Sequence, residues 1–131
     1  MKSRNQMMSQ RQEARVAQDL GGRVQAASGA MDHAKGDVRV SGNLRVECKT
    51  TSTKGYSLKL AEIQKIQGEA LMGGMEDWAM QVEFQGQFGQ HKKVAVIGWE
   101  SYLELRAEHE KLMKIQNCSS TYPCEFCEEK H

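Results

Sequence analysis

The feature that most constrains the fold is a pair of alternating apolar and polar runs on either side of Ser41-Gly42-Asn43. Alternation with a period of two is typical of strands, and a short Ser/Gly/Asn connection between two such runs predicts a β-hairpin. A two-residue loop would place polar side chains opposite apolar ones. A three-residue loop, with Asn43 in the left-handed conformation, instead pairs apolar residues with each other: Val40 with Leu44, and Val38 with Val46. We therefore predict the three-residue loop.

This register has a chemical consequence, because it places Asp37 directly opposite Glu47. Lys49 then shares their face of the sheet, while the other face carries the apolar side chains and Cys48. Two carboxylates about 5 Å apart repel each other unless a cation lies between them, and hard oxygen ligands suit Mg²⁺ or Mn²⁺. Lys49 would orient or deprotonate a water held by that metal and steady the charge of a phosphate. The alternative is a surface pair of Glu47 and Lys49 without a catalytic role.

Helical spacing of apolar residues predicts three helices. The first spans residues 4–20 and ends at Gly21-Gly22, the second begins at a Ser57 cap, and the third covers residues 99–115. The side chains expected to face the core are Leu60, Ile63, Ile66, Ala70 and Leu71 in the second helix and Tyr102, Leu105, Leu112 and Ile115 in the third.

Three further short runs predict strands at residues 23–27, 78–84 and 93–97, the last of them more buried than the one before it. Together with the hairpin, these elements follow the order α-β-β-β-α-β-β-α. That order predicts an α/β fold in which helices flank a central mixed β-sheet.

Length and charge narrow the function classes. The 131 residues allow one compact domain. Residues 1–60 hold 11 Lys/Arg against 5 Asp/Glu, a balance of +6, whereas residues 61–131 hold 7 against 12, a balance of −5. This asymmetry indicates either a polyanion partner for the first half or solvated charged faces. Because no run suits a membrane span or a secretory signal, we expect a cytoplasmic protein with no membrane partner and reduced cysteines.

A resemblance to a known family is carried by an ordered set of short motifs: Glu13, Leu20-Gly21-Gly22, Ser28-Gly29, Gly36-Asp37 and Glu47-Cys48-Lys49. As a set, they resemble the PD-(D/E)XK nuclease superfamily, and within it the archaeal-type Holliday junction resolvases, which also occur in viruses. The resemblance covers about residues 10–105. Gly36 stands where the superfamily has the proline of its name, a common variation.

The resemblance implies a restriction-endonuclease-like core over residues 1–116 and a role for each residue of the central motif. Asp37 and Glu47 would bind Mg²⁺ or Mn²⁺, with the backbone carbonyl of Cys48 as a third oxygen ligand. Lys49 would be the catalytic lysine.

Two residues outside the hairpin also match the family. Glu13 would act on the metal site through water, and Ser28 would lie near the scissile phosphate. A solvated helix carboxylate and a turn-capping serine are the alternatives for these two residues. The basic residues that are candidates for phosphate contacts, of which only some would make them, are Arg11, Arg15, Arg23, Lys35 and Lys54.

The family's activity implies a metal-dependent endodeoxyribonuclease that acts as a homodimer on branched DNA. It would make paired nicks in a four-way junction, leaving 5′-phosphate and 3′-hydroxyl ends, in the cytoplasm of an archaeal or virus-infected cell. The same core also serves other DNA endonucleases, in repair or site-specific cleavage, so such an enzyme is one alternative. A non-catalytic DNA-binding module on this core is another.

The C-terminal tail, residues 117–131, has no counterpart in the family. It carries the spacing C-x5-C-x2-C-x3-H, formed by Cys118, Cys124, Cys127 and His131. Four such ligands can hold a tetrahedral Zn²⁺. The alternative is a frayed terminal segment with reduced thiols.

Overall fold

The structure, a computed structural model, describes residues 3–25, 38–40, 43–87 and 90–117. Within them the order of elements is the predicted one. The helices are α1 (Arg4–Leu20), α2 (Leu60–Met72) and α3 (Trp99–Asn117), and the strands are β1 (Arg23–Val24), β2 (Val38–Val40), β3 (Leu44–Thr51), β4 (Asp77–Phe84) and β5 (Lys92–Val96).

The chain divides into two compact units after Ile97. The first contains the whole sheet with α1 and α2, and the described part of the second is α3. The boundary between a nuclease domain and a tail at residue 116 stays a prediction. No helix in the described part of the chain combines the length and the apolar character that a membrane span requires.

The five strands form one mixed sheet in the order β1-β2-β3-β4-β5. The pairs β1–β2, β2–β3 and β4–β5 are antiparallel, whereas β3 and β4 are parallel. A parallel pair needs a crossover, and α2 supplies it between β3 and β4. The predicted α/β architecture with a mixed sheet flanked by helices is therefore confirmed.

The predicted hairpin register is also confirmed. The pairs across β2 and β3 are Val38 with Val46, Arg39 with Arg45, and Val40 with Leu44. Hydrophobic alternation alone selected this register, because a slip by one residue would turn the buried valines toward the opposite face.

The two helices of the first unit pack on opposite faces of the sheet. α1 covers the face of Val38 and Val46, where it contributes Val16 and Ala17 to a buried cluster that Cys48 also joins. α2 covers the other face, and its cluster consists of Ile66, Met80 and Val82. Because side chains alternate along β3, Cys48 lies on the α1 face and its neighbours Glu47 and Lys49 lie on the α2 face, as predicted.

The ends of α1 follow from its sequence. Ser3 and Gln6 form a reciprocal capping box at the start of the helix, and Gly21 ends it in the left-handed conformation with φ 66°. Gly22 then approaches β2 closely, since a Cβ atom at this position would lie 2.6 Å from the carbonyl oxygen of Arg39. The first strand is shorter than predicted, because it ends at Val24; Ala26 and Ala27 lie outside the described residues.

The start of the second helix and the width of its buried face were predicted wrongly. α2 begins after Lys59 with no side-chain cap, so Ser57 is not its cap. Leu60 and Leu71 are 69% and 78% exposed, since the helix buries only the narrow stripe around Ile66 and Ala70.

Burial of the last strand and helix was also overestimated. β5 is an edge strand and four of its five residues are exposed, although an apolar run predicted a buried strand. In α3, no residue is buried, and Tyr102, Leu105 and Leu112, which were expected to face the core, are all exposed.

Candidate active site

Two charged side chains of the predicted motif, Glu47 and Lys49, lie side by side on the α2 face of β3. The Nζ atom of Lys49 is 3.4 Å from Oε1 of Glu47, and the two side chains are 38% and 21% exposed. Both groups are therefore reachable by a substrate while being held against the sheet. The backbone dictates this closeness, because residues two apart on a strand emerge on the same face.

A second carboxylate reaches the same lysine from the helix above. Glu62 lies in the first turn of α2, and its Oε1 is 3.8 Å from Nζ of Lys49. A carboxylate in the first turn also interacts favourably with the helix dipole. The Lys49 ammonium is thus held between a strand carboxylate and a helix carboxylate.

Tyr56 completes this cluster. Its hydroxyl donates a hydrogen bond to Oε1 of Glu62. Partial burial, the hydrogen bond to Glu62, and the negative charges of Glu62 and Glu47 hold the pKa of Tyr56 well above its usual range. The phenol therefore remains a hydrogen-bond donor at every physiological pH.

The backbone under this cluster is fixed from the opposite face of the sheet. The Nε2 atom of Gln12, in α1, donates to the carbonyl oxygens of Lys49 at 2.9 Å and of Gln81 at 3.2 Å. Gln12 is 1% exposed, so these bonds form out of water, where they are strongest. α1 is thereby attached to β3 and β4 at the position of the predicted catalytic lysine.

The predicted Glu13 follows Gln12 in α1 and is partly buried. Its helix packs on the face of the sheet opposite Glu47 and Lys49. The role of Glu13 at the metal site stays a prediction.

The predicted phosphate contacts occupy different environments. Arg15 makes two hydrogen bonds, of 2.9 and 2.8 Å, with the carboxylate of Glu83, which is fully buried. Arg11, Arg23 and Lys54 are exposed. Their contacts with DNA stay predictions.

Several predicted residues lie outside the described residues, and the structure places none of them. They are Asp37, Ser28 and Lys35 of the first half and Cys118, Cys124, Cys127 and His131 of the tail.

The fit of the predicted ligands to a divalent metal can therefore be assessed for the described residues. Within the described ranges, no group of three or more His, Cys, Asp and Glu side chains lies close enough together to hold a metal ion. Of the three predicted ligands, the Glu47 carboxylate and the Cys48 backbone carbonyl are described, and both are hard oxygen donors of the kind Mg²⁺ prefers. The donors present fit the metal, and the predicted set becomes complete only with Asp37.

The sequence analysis missed Gln12 and Glu62. Gln12 stands four residues before Val16, on the buried stripe of α1, so its position in the stripe was the available signal. Glu62 gave no such signal, because its contact with Lys49 depends on how α2 packs on the sheet.

The chain matches no family model, no curated protein and no solved structure.

Proposed function

We propose that this chain is a metal-dependent endodeoxyribonuclease with a restriction-endonuclease-like core, which resolves four-way DNA junctions as a homodimer. The observation that carries the proposal is the position of Glu47 and Lys49, which lie 3.4 Å apart and partly exposed on one face of β3. These are the two residues of the Asp37/Glu47/Lys49 motif that belong to the described residues.

The hairpin register supports the predicted role of the third residue, Asp37. Three consecutive pairs, from Val40–Leu44 to Val38–Val46, follow the alignment from which Asp37 opposite Glu47 was predicted. Two carboxylates at that spacing need a cation between them, and this requirement favours a metal site over a surface ion pair. When bound, Mg²⁺ would lower the pKa of water and stabilise the charge of the scissile phosphate.

The protein's own residues have separate tasks in this proposal. Asp37, Glu47 and the Cys48 carbonyl bind the metal, and the Lys49 ammonium stabilises negative charge on the phosphate. Glu62 keeps the flexible Lys49 side chain beside the site, and Tyr56 holds Glu62 in turn. Gln12 fixes the β3 backbone from below.

Charge and exposed apolar surface support the nature of the partners. The first 60 residues, which contain Glu47 and Lys49, carry the surplus of +6 that suits a polyanion. α3 exposes several large apolar side chains, and exposed apolar surface is typical of protein interfaces. A homodimer would provide the two active sites that paired nicks require.

The test is cleavage of a fixed four-way junction against linear, nicked and forked duplexes of matched sequence, with Mg²⁺, with Mn²⁺ and with a chelator. We expect metal-dependent paired nicks in the junction, with 5′-phosphate and 3′-hydroxyl ends. Asp37→Asn, Glu47→Gln and Lys49→Ala should abolish cleavage and leave junction binding intact. The exposed residues Lys65 and Glu76 provide matched controls, since Lys65→Ala and Glu76→Gln should cleave like the wild type.

The possible failures point in different directions. Equal cleavage of linear duplex and junction would overturn the junction specificity and leave a general endonuclease. Binding without nicking of any substrate under either metal would overturn the enzymatic proposal in favour of a DNA-binding module.

A further inference from the structure

Three arginines stand in a row across three neighbouring strands. Arg23 of β1 is the partner of Arg39 in β2, and Arg39 is the partner of Arg45 in β3. Directly opposite residues on paired strands project to the same face of the sheet, with Cβ atoms about 5 Å apart. Like charges at this spacing are destabilising unless negative groups compensate them.

The end of α2 compensates the two inner arginines. Arg45 is 2% exposed, and its Nη1 donates to the carbonyl oxygen of Glu69 at 2.7 Å. Nη2 of Arg39 donates to the carbonyl oxygen of Gly73 at 3.0 Å. Both carbonyls belong to the last turn of α2 or its cap, the negative end of the helix dipole.

Compensation is weakest at the outer strand. Arg45 has a carboxylate nearby, that of Glu69 at 3.7 Å. Within the described ranges, by contrast, no carboxylate lies within ion-pair distance of Arg39 or Arg23, and the Arg23 side chain has no hydrogen-bond acceptor there. Among the described residues, the Gly73 carbonyl is the one acceptor that the side chains of Arg39 and Arg23 reach.

A cavity opens at this position. Its volume is about 320 Å³, and Arg23, Arg39 and Gln25 supply its polar side chains. The lining residues that the structure describes include no Asp or Glu. Gly22 lines the cavity and packs against the backbone carbonyl of Arg39. A side chain at this position would occupy space that the glycine leaves open.

The row lies on the same face as the candidate active site. Arg45 precedes Glu47 by two residues on β3, which corresponds to about 7 Å along the strand. The outer end of the row is two strands away from β3, or about 10 Å. Arg39 and Arg23 therefore share a face of the sheet with Glu47 and Lys49, and the end of α2 covers the position of Arg45 between them.

We propose that Arg23 and Arg39 form a subsite for a backbone phosphate of the DNA other than the phosphate at the active site. The proposal rests on the nuclease function proposed above and adds to it a second, non-catalytic phosphate contact. Guanidinium groups suit it, because their forked donors bind phosphate oxygens in pairs. A phosphate between the two arginines would also relieve their repulsion.

The test measures the salt dependence of binding to a labelled four-way junction. Wild type, Arg23→Gln, Arg39→Gln and a Lys93→Gln control are compared in a Lys49→Ala background without divalent cations, between about 50 and 200 mM monovalent salt. Lys93 is an exposed cation, and its partner on the neighbouring strand is Glu83. Because Glu83 lies on the α1 face, where it binds Arg15, Lys93 lies on that face too, and the control removes one positive charge from the face opposite Arg23 and Arg39. We expect the slope of log K against log salt to fall by about 0.9 for each arginine variant and to stay at the wild-type value for Lys93→Gln.

If the slope of log K against log salt is the same for all four proteins, the proposal of a phosphate subsite is wrong. Arg39→Gln also loses its bond to Gly73, so its fold is checked by circular dichroism. If it unfolds, Arg23→Gln decides the question, because Arg23 is exposed on a short edge strand and its loss should leave the fold intact.

Cleavage separates this proposal from the nuclease function. With Lys49 intact, Arg23→Gln should raise KM and leave kcat unchanged, because Arg23 is remote from the reacting phosphate. Wild-type cleavage with an unchanged KM in Arg23→Gln would reject the subsite alone. Absence of cleavage, with a slope that still depends on Arg23, would reject the nuclease function and retain the phosphate subsite.

Discussion

Nη2 of Arg15 donates to both carboxylate oxygens of Glu83, which is 68 residues away in the chain, and the two side chains form an ion pair on the α1 face of the sheet. The two partners differ in solvent access, since the Arg15 side chain is 43% exposed and that of Glu83 is fully buried. Thr50 and Gln85 complete the surroundings of the carboxylate, because Gln85 Nε2 donates to both Thr50 and Glu83.

This difference in burial predicts unequal effects of removing either partner. Arg15→Met leaves a buried carboxylate without its cation and should lower the free energy of unfolding by about 3 kcal/mol. Glu83→Gln leaves a cation that still reaches water and should cost about 1 kcal/mol. Chemical denaturation measures both values. The double variant should be more stable than Arg15→Met alone, and an Arg15→Met loss no larger than that of Glu83→Gln would contradict this account.

Gly22 and Gly68 predict opposite responses to alanine. At Gly22, a new Cβ would meet the Arg39 carbonyl oxygen at 2.6 Å, so Gly22→Ala should destabilise the protein by about 1–3 kcal/mol. At Gly68, inside α2, a Cβ meets nothing within 4 Å, and Gly68→Ala should stabilise the helix by about 0.5–1 kcal/mol. Thermal unfolding of the two variants gives the comparison. A neutral Gly22→Ala would show that β1 does not pack on β2 as described.

The raised pKa of Tyr56 predicts an alkaline loss of stability. Because the folded state holds its phenol protonated, the stabilisation is complete below the unfolded pKa of about 10 and is lost as pH rises above it. Absorbance at the phenolate band, recorded without divalent metal, should therefore show the same native titration in wild type and Tyr56→Phe up to about pH 11.

In denaturant, the phenolate absorbance of the same two proteins should differ by the contribution of one tyrosine, out of the three in the chain. The unfolding free energy of Tyr56→Phe should also fall less steeply above about pH 10. The prediction would be refuted if, below about pH 11, the native wild-type protein ionised one more tyrosine than Tyr56→Phe does.

Glu62 is predicted to act as a positioning residue for Lys49. Glu62→Gln removes one of the two carboxylates that the described residues place near the ammonium, and it should lower kcat for junction cleavage by about 10- to 100-fold, with KM nearly unchanged. Its unfolding free energy should change by less than about 1 kcal/mol, because the ion pair is partly exposed. Glu104→Gln, in an exposed part of α3, is the matched control. A wild-type kcat in Glu62→Gln would leave Glu62 without a role in catalysis.

Local pattern was sufficient for the hairpin register and for the position of Glu47 beside Lys49. Apolar alternation in β2 and β3 led to the observed pairs, and the same alternation put Cys48 in the core and Glu47 beside Lys49. These features depend on a strand's period of two, which is a property of the backbone and is readable in any short segment. The Gly21 end of α1 could be read for a similar reason, since it requires a left-handed residue.

Tertiary structure alone decided which distant groups meet. The Gln12 amide reaches the Lys49 carbonyl, Glu62 reaches the Lys49 ammonium, and the end of α2 compensates Arg39 and Arg45. The exposure of β5 could not be predicted from the sequence either, because the same short apolar run is compatible with an edge strand and with a central strand. The physical reason is that periodicity determines the face on which a side chain emerges, whereas helix packing determines what lies above that face.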